Sequence, residues 1–292
     1  MTKKRIGGKT TVYGVIGDPI EHTLSPLMHN SAIAAMGLDA VYVSFRVDKT
    51  QLEQAVKGMD ALGIGGLNVT VPHKTAVFGC LDHVTDEARA VGAINTIIRA
   101  DSGLVGDNTD VYGFLMCLSK DGGLDSLPEK VCVLGAGGAA RGVVYACAAR
   151  EEVREVVVIN RTLSKAETIA ADFSGIVKAN LRAAPATAET FIRDVPQAGL
   201  VVNTTSVGMY PDVDASPMPD PAVFREGQVV CDIVYNPSET RFLSEAAEHG
   251  AVTVGGLSML AYQGARSLSL WTNRDAPVDV MLDALRDALR ES

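Results

Sequence analysis

Val131-Cys132-Val133-Leu134-Gly135-Ala136-Gly137-Gly138-Ala139-Ala140-Arg141 reads as a buried strand, a glycine turn and a helix opening at Gly138. A parallel strand covered on both faces is a continuous apolar run, as Val131 to Leu134 is. Gly135, Gly137 and Ala140 keep the spacing G-x-G-x-x-G/A. The first glycine allows the tight turn, the second lets the backbone approach a pyrophosphate, and the small third residue lets helix and strand pack closely. The helix start adds unpaired N–H groups and a partial positive charge for phosphates. Alone, the pattern is equally a plain tight turn. The neighbourhood decides. A second apolar strand, Val156 to Ile159, follows one helix later and ends at Asn160-Arg161-Thr162. A carboxylate at that place would bind a ribose 2′-hydroxyl, whereas an arginine suits a 2′-phosphate. Lys165 lies one helical turn beyond Arg161, so the two cations can share one anion; the bland alternative is a pair of solvated charges at a helix start. The stretch is read as a dinucleotide site of the NADP type.

The rest of the composition agrees with a globular enzyme-sized chain. Its 292 residues suit two domains, and 47% hydrophobic against 21% charged residues give ample core. A net charge of -9 argues against a nucleic-acid surface. Lys3, Lys4 and Arg5 make a small basic start with no apolar stretch behind it, so neither a signal peptide nor a membrane span is read. Cys80, Cys117, Cys132, Cys147 and Cys231 are scattered, odd in number and free of C-x-x-C, which argues against a disulfide framework or a zinc site. Cys132 in a strand and Cys147 in a helix read as buried filler, and a reducing cytoplasm is the expectation. His22, His29, His73, His83 and His249 share no ligand spacing, so no metal is expected; His73 reads as a packing or loop residue.

Toward the N-terminus, Val12 to Ile16 reads as a strand. Ser25-Pro26 reads as a helix start, with serine as N-cap and proline at the first helical position, the helix stopping at Gly37. Val41 to Val47 is the next strand, with Val41, Val43 and Phe45 alternating. Thr50 then caps a helix presenting Leu52, Val56 and Met59. This β-α-β-α order predicts a mostly parallel sheet. The segment from Ile64 to Lys74 is a strand emerging into Asn68, Thr70, His73 and Lys74, where open α/β sheets bind ligands; the alternative is an ordinary turn with Thr70 as a cap. Ala93 to Ile98 reads as a strand carrying Asn95, and Leu104-Val105 returns to Asn108-Thr109-Asp110 at a helix start. One amine and one carboxylate thus reach loop positions at strand ends, as reversible alcohol oxidation requires.

Thr23-Leu24-Ser25-Pro26, Asn68 to Lys74, Gly92 to Thr96, Asn108 to Asp110, Gly135 to Ala139, Asn160 to Thr162, Asn203 to Met209, Asp232 to Pro237 and Gly255 to Gln263 together resemble the shikimate dehydrogenase family, in order and over nearly the whole chain. The resemblance implies reversible reduction of 3-dehydroshikimate to shikimate with NADPH, in aromatic amino acid biosynthesis. It implies Lys74 and Asp110 as the catalytic pair: Lys74 as the ammonium that steadies the developing alkoxide and gives the proton, Asp110 as the carboxylate that orients it. Thr23 and Ser25 correspond to the hydroxyls that hold the substrate carboxylate. Asn68, Thr70, Asn95 and Asp110 correspond to contacts with the ring hydroxyls, and Tyr235 and Gln263 to contacts from the other side. The cofactor would meet Gly135, Ala136, Gly137, Gly138, Ala139, Asn160, Arg161, Thr162, Lys165, Thr204, Ser206, Met209, Ile233, Gly256 and Met259. One departure is Thr23, where the family usually has serine; the added methyl falls where shikimate and quinate differ. An NAD-using quinate/shikimate dehydrogenase and a catalytically silent nucleotide-binding sensor are the competing readings.

The implied fold is α/β in two domains: an N-terminal substrate domain with a mostly parallel sheet, residues 1–113, completed by helices returning at 257–292, and a Rossmann domain, residues 114–256. Within the latter, Leu200 to Asn203, Val229 to Val234 and Val252 to Val254 read as the third, fourth and fifth strands, with Gly255-Gly256 as a hinge. The partner is a small molecule, with no nucleic acid or membrane, and the chain is a monomer or homodimer.

Overall fold

The computed structural model describes residues 6–291; the basic start at Lys3, Lys4 and Arg5 lies outside them. The chain divides into two compact units. One ends at Thr109 and resumes at Ala261; the other is Asp110–Leu260.

The first unit holds β1 (Thr11–Gly17), α1 (Ser25–Ala35), β2 (Ala40–Arg46), α2 (Leu52–Ala61), β3 (Gly66–Val69), β4 (His83–Val84), α3 (Asp86–Val91), β5 (Thr96–Ala100) and β6 (Gly103–Asp107). Its sheet order is β2-β1-β3-β5-β6-β4. β1 pairs in parallel with β2 and β3, as helical crossovers require. β5 runs antiparallel to both neighbours; toward β6 this follows from the turn Asp101-Ser102, which is too short for a crossover.

Several local expectations change here. Ser25 is already helical; Leu24 holds the cap position, and the preceding Thr23 Oγ1 accepts from Ser25 N at 3.3 Å. Before α2 the cap is Asp48, not Thr50: its carboxylate accepts from Thr50 N at 2.8 Å, and a short 3₁₀ turn, Lys49–Gln51, leads into the helix. In β2 the most buried side chain is Tyr42, at 1% exposure, while Val41 and Val43 are only half-buried. Asn95 precedes β5 rather than lying in it.

The second unit contains α4 (Asp110–Lys120), β7 (Lys130–Leu134), α5 (Gly138–Ala148), β8 (Glu155–Asn160), α6 (Leu163–Phe173), β9 (Asn180–Pro185), α7 (Ala188–Asp194), β10 (Leu200–Asn203), β11 (Val229–Asp232), α8 (Arg241–Glu248) and β12 (Val252–Gly255). The all-parallel sheet runs β12-β11-β10-β7-β8-β9. Valines of β7, β8 and β10 are fully buried, which explains their unbroken apolar runs. The edge strand β9 was not read from sequence, so Leu200 to Asn203 is the fourth strand of this sheet in chain order. α9 (Gly256–Thr272) follows β12 directly, so Gly255-Gly256 forms a strand-to-helix junction. A Cβ on Gly256 would overlap Ile233 O, which demands glycine there. From Ala261 onward α9 and α10 (Val278–Glu291) belong to the first unit, where α10 packs on α1.

Candidate active site

In the first unit a buried polar network gathers two of the expected ring-hydroxyl contacts, Asn68 and Asn95, with Gln263; Thr70 lies outside it, and Asp110 belongs to the second unit. β3 carries Asn68, whose Oδ1 accepts from Tyr42 Oη at 2.8 Å and whose Nδ2 donates to Ser267 Oγ at 2.9 Å. Ser267 Oγ also lies 2.8 Å from Thr96 Oγ1 and 3.1 Å from Thr109 Oγ1. Asn95 Nδ2 donates to Thr109 Oγ1 at 3.0 Å and Gln263 Oε1 at 3.3 Å, while its Oδ1 accepts from Thr109 N at 2.7 Å. Asn68, Asn95 and Gln263 are thereby held together from β3, the approach to β5 and α9. Such a saturated network fixes rotamers, because each broken bond would leave a buried polar atom unpaired. His29 stacks on Tyr42, ring centroids 4.0 Å apart, and gives its Nδ1 proton to Ser25 O at 2.9 Å. Burial pushes the His29 pKa down to about 4, so the ring is neutral beneath the buried Ser25.

The turn that bears Lys74 is clamped at both ends. Thr70 N donates to Ile16 O at 3.0 Å, and His73 N to Thr70 O at 2.9 Å. The fully buried His73 ring places Nε2 2.7 Å from Val47 O; a carbonyl only accepts, so Nε2 carries the proton. This is the packing role expected of His73. Lys74 O accepts from Ile94 N at 2.8 Å, which fixes the half-buried Lys74 beside the neighbour of Asn95. Thr23 is half-buried next to Ser25.

In the second unit Gly135 has φ +110°, and a Cβ there would sit 2.6 Å from Thr204 Oγ1, so glycine is required twice over. Thr204 braces this turn, donating its hydroxyl to Leu134 O at 2.7 Å. Gly137 caps α5 and has nothing within 4 Å of a would-be Cβ. The first N–H groups of α5, from Gly138 and Ala139 onward, have no partner within the helix. This open cradle of bare backbone fits a pyrophosphate. Beyond β8, Asn160 Nδ2 ties the bend to Thr162 O at 2.8 Å, and the exposed Arg161 and Lys165 side chains have no hydrogen-bond or ion-pair partner among the described residues. Two unneutralised cations fit a phosphate monoester. Ser206 and Met209 are exposed, Ile233 is half-buried and Met259 is buried. Asp110 opens α4 at 6% exposure. Tyr235 is half-buried, and burial pushes its phenol up.

Sequence reading passed over Tyr42, Thr96, Ser267 and the buried charge of Asp232. Ser267 had a usable signal: it follows Gln263 by one helical turn and so shares its face.

The family model described as shikimate dehydrogenase substrate binding domain matches residues 15–97. That for shikimate / quinate 5-dehydrogenase matches 120–195, and the shikimate 5'-dehydrogenase C-terminal domain matches 256–286. The shikimate dehydrogenase (NADP(+)) of Methanopyrus kandleri is 43% identical over 285 residues, 98% of both chains. A crystal structure of a shikimate dehydrogenase in complex with NADP+ has a TM-score of 0.90 at 37% identity, covering 98% of each chain. Shikimate 5-dehydrogenase from Thermus thermophilus, in complex with NADP(H) and shikimate, has a TM-score of 0.84 at 38% identity, covering 96% of this chain and 100% of that one. With relatives this similar along almost its entire length, and its family motifs seated on the expected strand ends, the chain belongs to the shikimate dehydrogenase family.

Proposed function

We propose that the chain catalyses the reversible, NADP-dependent oxidation of shikimate to 3-dehydroshikimate, a biosynthetic step of a reducing cytoplasm. The reading rests on one observation: the backbone bond from Ile94 N to Lys74 O sets the only lysine of the 66–74 segment next to the Asn68–Asn95–Gln263 network. The turn that carries the lysine and a rigid set of amide and hydroxyl groups thus lie beside each other in the first unit. The amides and Thr70 sort the ring hydroxyls, and the Thr23 and Ser25 hydroxyls take the carboxylate.

Gly135 to Ala139 would hold the pyrophosphate, Arg161 and Lys165 with Asn160 and Thr162 the 2′-phosphate, and Thr204, Ser206, Met209, Ile233, Gly256 and Met259 the remainder. When bound, the nucleotide supplies or takes up the hydride. The protein's part is the proton. Lys74, as ammonium, stabilises the alkoxide oxygen and donates to it in the reducing direction; Asp110, as carboxylate, accepts from a substrate hydroxyl. Tyr235 adds a neutral phenol donor. The test is absorbance of the reduced nucleotide on mixing purified protein with shikimate and NADP. Steady formation supports the reading; its absence, with NADP still bound, would leave a nucleotide-binding sensor.

A further inference from the structure

Asp232 closes β11 with its side chain at 0% exposure. Its carboxylate accepts three hydrogen bonds: Oδ1 from Asn203 Nδ2 and from Val234 N, both at 3.0 Å, and Oδ2 from Thr240 Oγ1 at 2.7 Å. Each donor belongs to a different piece of chain. Asn203 ends β10 and is the register partner of Asp232. Its own Oδ1 accepts from Thr205 N at 3.0 Å and Thr205 Oγ1 at 2.7 Å, which fixes the turn that runs on to Met209. Val234 is the second residue of the loop after β11, and Thr240, the N-cap of α8, ends it. Tyr210 N also donates to Asn236 O at 3.0 Å, lacing the two loops together.

One buried carboxylate therefore pins both loops at their roots. We propose that Asp232 is a positioning residue for the nucleotide: its ionised form holds the 204–209 and 233–240 loops, with Ser206, Met209 and Ile233, in the geometry that binds NADP. The proposal rests on the proposed function, since it takes those residues as the cofactor's contacts. Chemistry favours a carboxylate here. It accepts from three donors and presents none, whereas a protonated acid or an amide must point a hydrogen at one of them. Thr240 Oγ1 already accepts from Leu243 N at 3.4 Å, so a proton on Oδ2 reverses the Thr240 bond and leaves that hydroxyl hydrogen without its acceptor; a proton on Oδ1 opposes the Val234 N–H. The side chains facing Asp232, Asn203 and Thr240, carry no charge, and a hydrogen bond with Cys117, together with burial, pushes the adjacent Cys231 thiol well above its ordinary range. The three hydrogen bonds alone hold the charge. Burial raises the Asp232 pKa to about 6, so the switch from three-fold acceptor to donor falls within the range of an ordinary assay.

The test is NADP affinity by titration calorimetry from pH 5 to 8 for the wild type, Asp232→Asn and Asp232→Ala, with shikimate affinity measured alongside. The asparagine stands in for the protonated acid. The expected result is near-equal NADP affinity of the wild type and Asp232→Asn at pH 5, and about tenfold tighter binding by the wild type at pH 7.5. The 2′-phosphate ionises in the same range but is common to both proteins and cancels in the ratio. Asp232→Ala should lose at least about tenfold in NADP affinity at pH 7.5 while shikimate binding changes less than about twofold. A ratio flat across pH would overturn the proposal, and it remains readable if the alanine variant does not fold. So would equal losses for NADP and shikimate, the mark of a general structural defect. Wild-type protein that bound no NADP at any pH would overturn the proposed function itself.

Discussion

Asp232 also makes a thermodynamic prediction that needs no ligand. A carboxylate of ordinary pKa 3.8 that dissociates only at about 6 in the fold holds its proton more tightly folded than unfolded. Its contribution to stability is therefore most favourable below 3.8, falls as pH rises toward 6, and is flat above. The gap of 2.2 between 3.8 and about 6 corresponds to about 3 kcal/mol of destabilisation at neutral pH. By the same linkage about 1 kcal/mol of this is already present at pH 4.5, so about 2 kcal/mol develops between pH 4.5 and 7.5. Asp232→Asn is neutral throughout. Relative to the wild type it should gain about 2 kcal/mol over that interval, or a urea midpoint shift of about 1 M. Far-UV circular dichroism is the appropriate signal, because the single tryptophan, Trp271, lies in the other unit. A difference between variant and wild type that does not change with pH would refute the reasoning. A variant that loses ground as pH rises would show that the three hydrogen bonds outweigh burial. If both the binding and the stability results hold, Asp232 weakens the fold in order to place the loops, a trade expected at functional sites.

Three further outcomes are expected. Lys74→Ala should lower kcat by about 10²- to 10⁴-fold with little change in shikimate affinity, since the amine acts on the proton and not on the resting complex; a near-normal kcat in stopped assays would reject the role. Arg161→Ala should weaken NADP by about tenfold or more and NAD by less than about twofold, with the difference shrinking as salt is raised; equal losses in the two titrations would remove the 2′-phosphate assignment. His29, pushed from 6.5 down to about 4, has the opposite sign to Asp232: its share of stability is complete above 6.5 and is lost as pH falls toward 4. That loss approaches about 3 kcal/mol. Trp271, whose ring centroid is 6.1 Å from that of His29, reports on this unit, and its fluorescence should show a shallower acid decline in His29→Gln.

Much of the fold was legible because its strands are short apolar runs punctuated by glycine. Val131 to Leu134 and Val156 to Ile159 are buried on both faces, and their shortness and β-branched content between turn residues separate them from a buried helix. β9 escaped notice for the same reason in reverse: in Asn180–Pro185 only Ala184 is buried, as befits an edge strand. Caps were harder. Asp48 and Thr50 both suit the role, and only the backbone path decides which side chain reaches the free N–H. Candidate site residues could be named from motifs, but not their support. Tyr42 reads as one member of an alternating strand, yet its hydroxyl orients Asn68, 26 positions away. Asp232 reads as a polar stop after the apolar run Val229 to Cys231, and nothing local reveals that donors from Asn203 and Thr240 converge on it.

That this fold binds NADP and oxidises shikimate with it is tested most directly by initial rates. Shikimate and quinate are each assayed with NADP and with NAD, under one set of conditions. The highest kcat/KM is expected for shikimate with NADP. A preference for quinate with NAD, or no turnover in any of the four combinations, would contradict the assignment.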